Sequence, residues 1–263
     1  MTNTNQTFLR IEHKYLISEE QMKKFLNLIQ DKIKPDIYPE YDLNNIYLDT
    51  ENYDIIRSCQ DDISYKEKLR IRSYGNPGEN TKVFVEIKKK YKGLGEKRRT
   101  EIEYKNLDNY LESPSENTQI EKELKYALTR NKIEPKMFIS YHRIAYDGIE
   151  EDDLRITFDT NIKYRENSLN MCGNNVDKLF HFNSDKNIIL EIKLAERYPL
   201  WLTKALSEIN AYRTSFSKYG TLYKKKIKEN YTPFWQTNQI PVKEINKTEN
   251  QKGVKNQYVY QSI

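Results

Sequence analysis

The stretch EKLRIRSY, residues 67–74, sets three cations at alternate positions, Lys68, Arg70 and Arg72, with Lys66 extending the row. In an extended chain alternate residues share a face, so Leu69 and Ile71 point one way and the cations the other. The pattern recurs along the chain. Arg10, Glu12 and Lys14 oppose Ile11, His13 and Tyr15, and Phe84, Glu86 and Lys88 oppose Val83, Val85 and Ile87. Tyr141 and Arg143 alternate with His142 and Ile144. Arg155, Thr157 and Asp159 oppose Leu154, Ile156 and Phe158, and Glu191 and Lys193 oppose Leu190, Ile192 and Leu194. Three of these segments carry a carboxylate two residues before a lysine: Glu12/Lys14, Glu86/Lys88 and Glu191/Lys193. Arg and Lys clamp phosphoryl oxygens, Arg often through two parallel hydrogen bonds. Hard divalent ions take carboxylate oxygen on one side and phosphate oxygen on the other. The chemistry these residues suit is the holding of a polyanion, with metal bridging it to the carboxylates.

One charged strand face is what a solvated antiparallel sheet shows. Several agreeing faces, with arginines at strand centres, instead predict strands whose apolar sides are covered by helices and whose charged sides look inward, a polar-lined barrel. The elements fit that reading. Strands are expected at 8–17, 44–50, 64–74, 81–91, 92–104, 137–148, 153–165 and 187–196, with GNPGEN as the turn that joins 64–74 and 81–91 in a hairpin and Gly93 and Gly95 in the next turn. Ser18 caps a helix over 19–34 with Met22, Phe25, Leu26, Ile29 and Ile33 on one face. Helical patterns follow near 106–112 and 118–131. Pro199 opens another helix with Trp201, Leu202, Ala205, Leu206 and Ile209 inward, and a basic helix runs from about 219 to 229. The fold class is antiparallel α+β, one domain over 1–230, followed by a polar, aperiodic tail over 231–263.

Composition narrows the function classes. The 263 residues carry 44 basic and 39 acidic side chains, a net charge of +5, and 37% are hydrophobic. Such mild basicity suits an anionic ligand without requiring one. Nucleic acid is not the expected partner, because its basic residues would lie on an exposed face with stacking aromatics and would not alternate with carboxylates. Cys59 and Cys172 stand in no metal-ligand spacing and fit a reducing compartment. No apolar run approaches the ~18 residues of a membrane helix, so the expected location is cytoplasmic. His13, His142 and His181 lack carboxylate or cysteine neighbours at ligand spacing and read as structural or surface groups.

The segments FLRIEHKYLI, YLDT, KLRIRSYG, VFVEIKKKYKG, KRR, SYHRIAY, LRITFD, ILEIK and SFSKY, in this order across about residues 8–220, resemble the VTC (vacuolar transporter chaperone) domain. That domain is the polyphosphate polymerase branch of the triphosphate tunnel metalloenzymes. The resemblance implies an eight-stranded antiparallel β-barrel tunnel with helices packed outside, binding ATP with Mn²⁺ or Mg²⁺. It further implies transfer of the terminal phosphate of ATP onto a growing inorganic polyphosphate chain. It makes Arg70, Arg72, Lys88, Arg143, Arg155 and Lys193 the catalytic cations, and Lys14, Lys68, Tyr141, Ser217, Lys218 and Arg99 the substrate ligands. Glu191 is then the metal-binding glutamate, while Glu12 and Glu86 are either further metal ligands or groups that hold lysines in place. Lys68 reaches either the phosphate chain or solvent at the rim, and the KRR segment with Lys97 and Arg99 either lines the tunnel or is a solvated turn.

The wider superfamily often begins E-x-E-x-K, whereas this chain has Arg10-x-Glu12-x-Lys14. Loss of the first carboxylate disfavours hydrolysis and suits phosphate-to-phosphate transfer. The alternatives are a tunnel triphosphatase acting on tripolyphosphate or nucleoside triphosphates, and a non-catalytic module that binds polyphosphate or inositol phosphates. Relatives in the family often work beside membrane proteins, which would put this chain at the inner face of a membrane through a separate membrane protein partner.

Overall fold

The protein is described by a computed structural model that covers residues 11–230 apart from 62–63, 93, 173–176, 183–185 and 196. Arg10, Gly93 and the tail expected over 231–263 lie outside the described residues. The chain separates into compact units Met1–Lys225 and Lys226–Ile263, and the first is described here. In order, the elements are β1 (Ile11–Ile17), α1 (Glu19–Ile29), β2 (Ile33–Thr50), α2 (Asp54–Asp61), β3 (Tyr65–Tyr74), β4 (Lys82–Tyr91) and β5 (Leu94–Glu103). They continue with α3 (Leu107–Glu112), α4 (Gln119–Thr129), β6 (Ile133–Gly148), β7 (Arg155–Arg165), β8 (Lys178–Leu179), β9 (Ile188–Leu194), α5 (Leu200–Glu208), β10 (Arg213–Thr214) and α6 (Lys218–Asn230).

Local chemistry sets several boundaries. Ser18 and Gln21 form a reciprocal capping box at α1, and Thr118 with Glu121 does the same at α4. The helix expected over 19–34 stops at Ile29, because Ile33 and Lys34 pair with Gly148 and Asp147 at the start of a much longer β2. Gly148 is required there: a Cβ would lie 2.5 Å from the Glu151 carbonyl oxygen. The YLDT segment has a role that its strand pattern did not reveal. Asp49, fully buried, accepts hydrogen bonds from the backbone N–H of Thr50, Ile55 and Ile56, capping α2, and from the Tyr219 hydroxyl of α6.

All paired strands are antiparallel, in the order β10-β1-β9-β7-β6-β2-β3-β4-β5, with β8 beside β7. Among the described residues the strands form a ten-stranded sheet that does not close, so the antiparallel sheet with outer helices is as expected and the eight-stranded closed barrel is not confirmed. β10 pairs with β1 through Lys14↔Thr214 and Tyr15↔Arg213 and with no other strand among the described residues. The sheet is nonetheless curled. Lys88 Nζ on β4 reaches Glu12 Oε2 on β1 at 3.2 Å, joining strands that are far apart in sheet order.

Helices cover the outer face as expected. α1 and α5 bring Phe25, Ile29, Leu202 and Leu206 onto Ile156, Phe158, Leu190 and Ile192. α3 and α4 bring Leu107, Leu124 and Leu128 onto Leu69, Ile71, Val83, Val85 and Ile87. α6 differs. Its Tyr219, Leu222 and Tyr223 pack with Leu43, Tyr47, Tyr141 and Ile189, residues that share strand faces with the cation rows. Tyr47 and Tyr219 stack with ring centroids 4.7 Å apart. The inner face is thus divided into a charged part and an apolar part seated on α6. A bulge helps: the β6–β7 register shifts between Ser140 and His142, and Asn161 takes φ 50. That break in alternation lets Ile162 and Tyr164 join the α6 cluster although Asp159 belongs to the charged part.

Candidate phosphate-binding site

Period-two geometry brings the predicted residues to one face, and counter-ions then fix their tips. Three arginines show the same arrangement. Arg70 gives Nε and Nη2 to Glu86 Oε2, both at 2.7 Å. Arg72 donates from Nε to Asn45 Oδ1 at 2.9 Å and from Nη2 to the Tyr141 hydroxyl at 3.1 Å. Arg143 grips Asp159 with Nε at 2.6 Å and Nη2 at 2.8 Å. Each guanidinium is locked by two of its nitrogens and keeps Nη1 without a hydrogen-bond partner among the described residues. The anchoring is rigid, and the spare donors are those an incoming anion would meet.

The lysines form a second tier. Lys14 lies 3.0 Å from Glu12 Oε1 and 3.6 Å from Glu191 Oε2, and Lys193 pairs with the other Glu191 oxygen. Lys88 meets Glu12, Lys218 meets Asp159, and Lys68 Nζ donates to Ser217 Oγ at 2.7 Å. Ser217 Oγ also accepts from the Gly220 N–H at the start of α6. Lys218 Nζ stands 4.2 Å from the centroid of the Tyr141 ring. Lys97 reaches Glu86 Oε1 at 2.9 Å, so it lines the site and is not part of a solvated turn. Lys68 likewise turns inward and does not reach for solvent.

This crowding shows in the ionisation of the groups. Burial and the neighbouring Glu191 charge push the Glu12 carboxyl up, but Lys14, Lys88 and Lys193 outweigh them and hold it at about 2. Glu86 is opposed by burial and brought down to about 2 by Arg70, Arg72 and Lys97. Glu191 stays ionised well below the usual carboxylate range despite burial, because Lys193, Lys14 and Arg143 surround it. Cations in excess feel the reverse. Burial drives Lys68 down to about 8 against the pull of Cys59, and Lys14, Lys88 and Lys66 add repulsion. Burial also lowers Lys88 and Lys97. Burial raises the Tyr141 phenol, yet Arg72, Arg143 and Lys218 bring it to about 8. Burial opposes the Lys14 charge too, but Glu191, Glu12 and Asp159 raise it above the usual lysine range, so the lowered lysines report burial first and the Tyr141 phenol reports the cations around it.

Not every predicted residue joins this group in the same way. Arg155 is 43% exposed at its side chain and its guanidinium is taken by Asp36 of β2. Arg99 is exposed and lies over the Phe84 ring, 4.5 Å from its centroid. Asp159 and Asn45, which orient Arg143 and Arg72, were not singled out from sequence. For Asp159 the signal existed, since it alternates with Arg155 and Thr157 in LRITFD. His142 is a partly exposed group whose ring nitrogens meet Asp42 Oδ1 and Glu40 Oε1, each at 2.8 Å; burial lowers its pKa, but these hydrogen bonds outweigh it and raise it. Sequence spacing could not show those partners, which lie about a hundred positions away on β2.

The metal expectation meets a mixed donor set. Among the described residues no group of three or more His, Cys, Asp or Glu side chains is arranged to hold an ion. Glu12 pairs with Lys14 and Lys88, Glu191 with Lys14 and Lys193, and Glu86 with Arg70 and Lys97; Glu12 and Glu191 lie together through their shared Lys14. Two carboxylates fit an ion of the Mg²⁺ kind, which is held by one or two protein carboxylates and completed by substrate phosphate oxygens.

A family model described as the VTC domain matches residues 9–226. No curated protein matches the chain. Among solved structures, a provisionally named adenylate cyclase of Bacillus halodurans superposes with a TM-score of 0.51 at 13% identity, covering 86% of this chain and 98% of its own. A similarly named Vibrio parahaemolyticus protein gives 0.44 at 13% identity, over 83% and 99%. The first likeness places the curled antiparallel sheet and its helices in a known fold. Among the described residues no helix is long and apolar enough to cross a membrane.

Proposed function

The chain belongs to the VTC domain family, a family of triphosphate-tunnel proteins, and from that premise we propose that it is a polyphosphate polymerase, moving the terminal phosphate of ATP onto a polyphosphate chain. The observation that carries this reading is the set of three buried or half-buried arginines, each pinned by two nitrogens with Nη1 left over. Such a set is built before the ligand arrives, so no reorganisation is needed when phosphoryl charge develops.

Arg70, Arg72 and Arg143 would hold non-bridging oxygens of the phosphate chain, Lys14, Lys88, Lys193 and Lys218 would exchange part of their carboxylate contacts for phosphate, and Lys68 would turn from Ser217 to the chain. A Mn²⁺ or Mg²⁺ ion, held by Glu12 and Glu191 together with the phosphates, would neutralise charge on the transferred group. The acceptor is an anionic phosphate oxygen that carries no proton to be removed, so alignment and charge stabilisation supply the catalysis. Replacement of the first glutamate of E-x-E-x-K by Arg10 favours transfer over hydrolysis. Ser217, hydrogen-bonded to Lys68, would touch the chain beside α6.

The test is incubation of purified protein with ATP and Mn²⁺, followed by a polyphosphate-stained gel. A ladder that lengthens with time supports the reading. Phosphate release without polymer would establish a triphosphatase, and binding without turnover in any divalent metal would establish a polyanion-binding module.

A further inference from the structure

Four side chains on the cation-bearing faces are not used by the phosphate site. Tyr41, Tyr74, Phe84 and Arg99 come from the adjacent strands β2, β3, β4 and β5. The Tyr41 and Tyr74 ring centroids are 5.6 Å apart, Tyr74 and Phe84 meet edge to face at 5.7 Å, and Arg99 covers Phe84 at 4.5 Å. Tyr74 is 45% exposed, Arg99 is exposed, and Tyr41 and Phe84 are half-buried. The array touches the phosphate site directly in register. Phe84 is the cross-strand partner of Arg72, and Tyr74 is the next residue on the same face of β3, roughly 7 Å beyond Arg72.

Unlike Tyr47 and Tyr219, which stack in a buried cluster with α6, these rings form a continuous array across four adjacent strands. Here flat π surface and a planar cation stay open to water, one strand step from an arginine with a spare donor. Bases stack on that combination, and stacking needs no particular hydrogen-bond pattern. A phosphate chain has no π face to offer, so the array suits the other end of a nucleotide.

We propose that Tyr74, Phe84 and Arg99, backed by Tyr41, form a stacking platform for the nucleobase of a nucleoside triphosphate whose phosphates extend past Arg72 toward Arg70. The platform rests on the phosphate-chain reading of Arg70 and Arg72, and it would select a nucleotide donor over inorganic polyphosphate for the position next to β5.

The experiment titrates the full chain by calorimetry with β,γ-imido ATP and, separately, with tripolyphosphate at the same Mg²⁺ and salt. Y74A and, to preserve bulk, Y74L are expected to weaken the nucleotide about tenfold while leaving tripolyphosphate within about twofold. R99M should act in the same direction with a smaller factor. Loss of both ligands in parallel for Y74L would mark a structural ring and overturn the platform. Unchanged affinity for both ligands would also overturn it, while the phosphate site stood. Failure of the parent to bind either ligand would sink the phosphate reading together with the platform.

Discussion

Asp159 is the most exacting place to test the charge architecture. It is fully buried on β7 and is the shared counter-ion of Arg143 and Lys218, which come from β6 and α6. D159N keeps the shape and one acceptor but removes the charge, leaving two cations facing the Tyr141 ring without their carboxylate. Unit charges about 4 Å apart interact by about 4 kcal/mol at an effective dielectric of about 20. Breaking one partner out of a buried pair costs about 3–5 kcal/mol. In a unit of this size each kcal/mol moves the melting temperature by about 2–4 °C, so D159N should melt at least about 6 °C below the parent. Tripolyphosphate should restore part of the loss, because it brings the missing negative charge to Arg143 and Lys218. Its thermal shift, read by scanning calorimetry at matched ligand concentration, should therefore be larger in D159N than in the parent. Melting within about 2 °C of the parent, or an equal or smaller ligand shift, would refute the view that the site is a cation cluster awaiting an anion.

Other perturbations test separate parts. On the proposed reading E191Q should abolish turnover while keeping tripolyphosphate within about threefold of parental affinity, since it would remove a carboxylate proposed to hold metal but no phosphate ligand; a chelator should have the same effect on the parent. Lys68 titrates near 8, below the ordinary lysine range, so its buried charge costs stability below about pH 8 and that cost is relieved as pH rises from about 8 to 10. Tripolyphosphate affinity should accordingly fall above about pH 8, more steeply in the parent than in K68Q; parallel pH profiles would rule Lys68 out. Glu12 is held at about 2, so its contribution to stability is complete above about pH 4.5 and is lost as pH falls toward 2, a slope that E12Q should flatten in acid-melting curves. L124A on α4, where the leucine is fully buried over β3 and β4, should cost about 2–5 kcal/mol in denaturant unfolding and leave the ligand-binding residues in place.

The charged face was legible in the sequence because its rule is local. An extended backbone sends alternate side chains to opposite sides, so Leu69 and Ile71 had to part from Arg70 and Arg72 wherever the strand packed. The same holds for the caps at Ser18 and Thr118, whose side chains reach backbone N–H groups only three residues away. One local reading failed where a distant element competed for the same residues. The end of the first helix was taken into β2 by pairing with Gly148, whereas the alternation read over 154–159 holds and the bulge at Asn161 lies beyond it.

By itself, then, the sequence determined which residues share a face, which faces are apolar enough to need a helix, and that the remaining faces carry more cations than carboxylates. Tertiary structure alone decided what those cations do. That Arg143 and Lys218 converge on Asp159, that Arg72 is held by Asn45 and Tyr141, and that Arg155 is drawn off to Asp36 all depend on side chains between 16 and 119 positions apart. Likewise only the folded chain puts α6 on the inner face and leaves β5 and β10 as edges. Side-chain alternation follows from the sterics of one backbone, but a charge's partner follows from register, twist and curl summed over every strand between them.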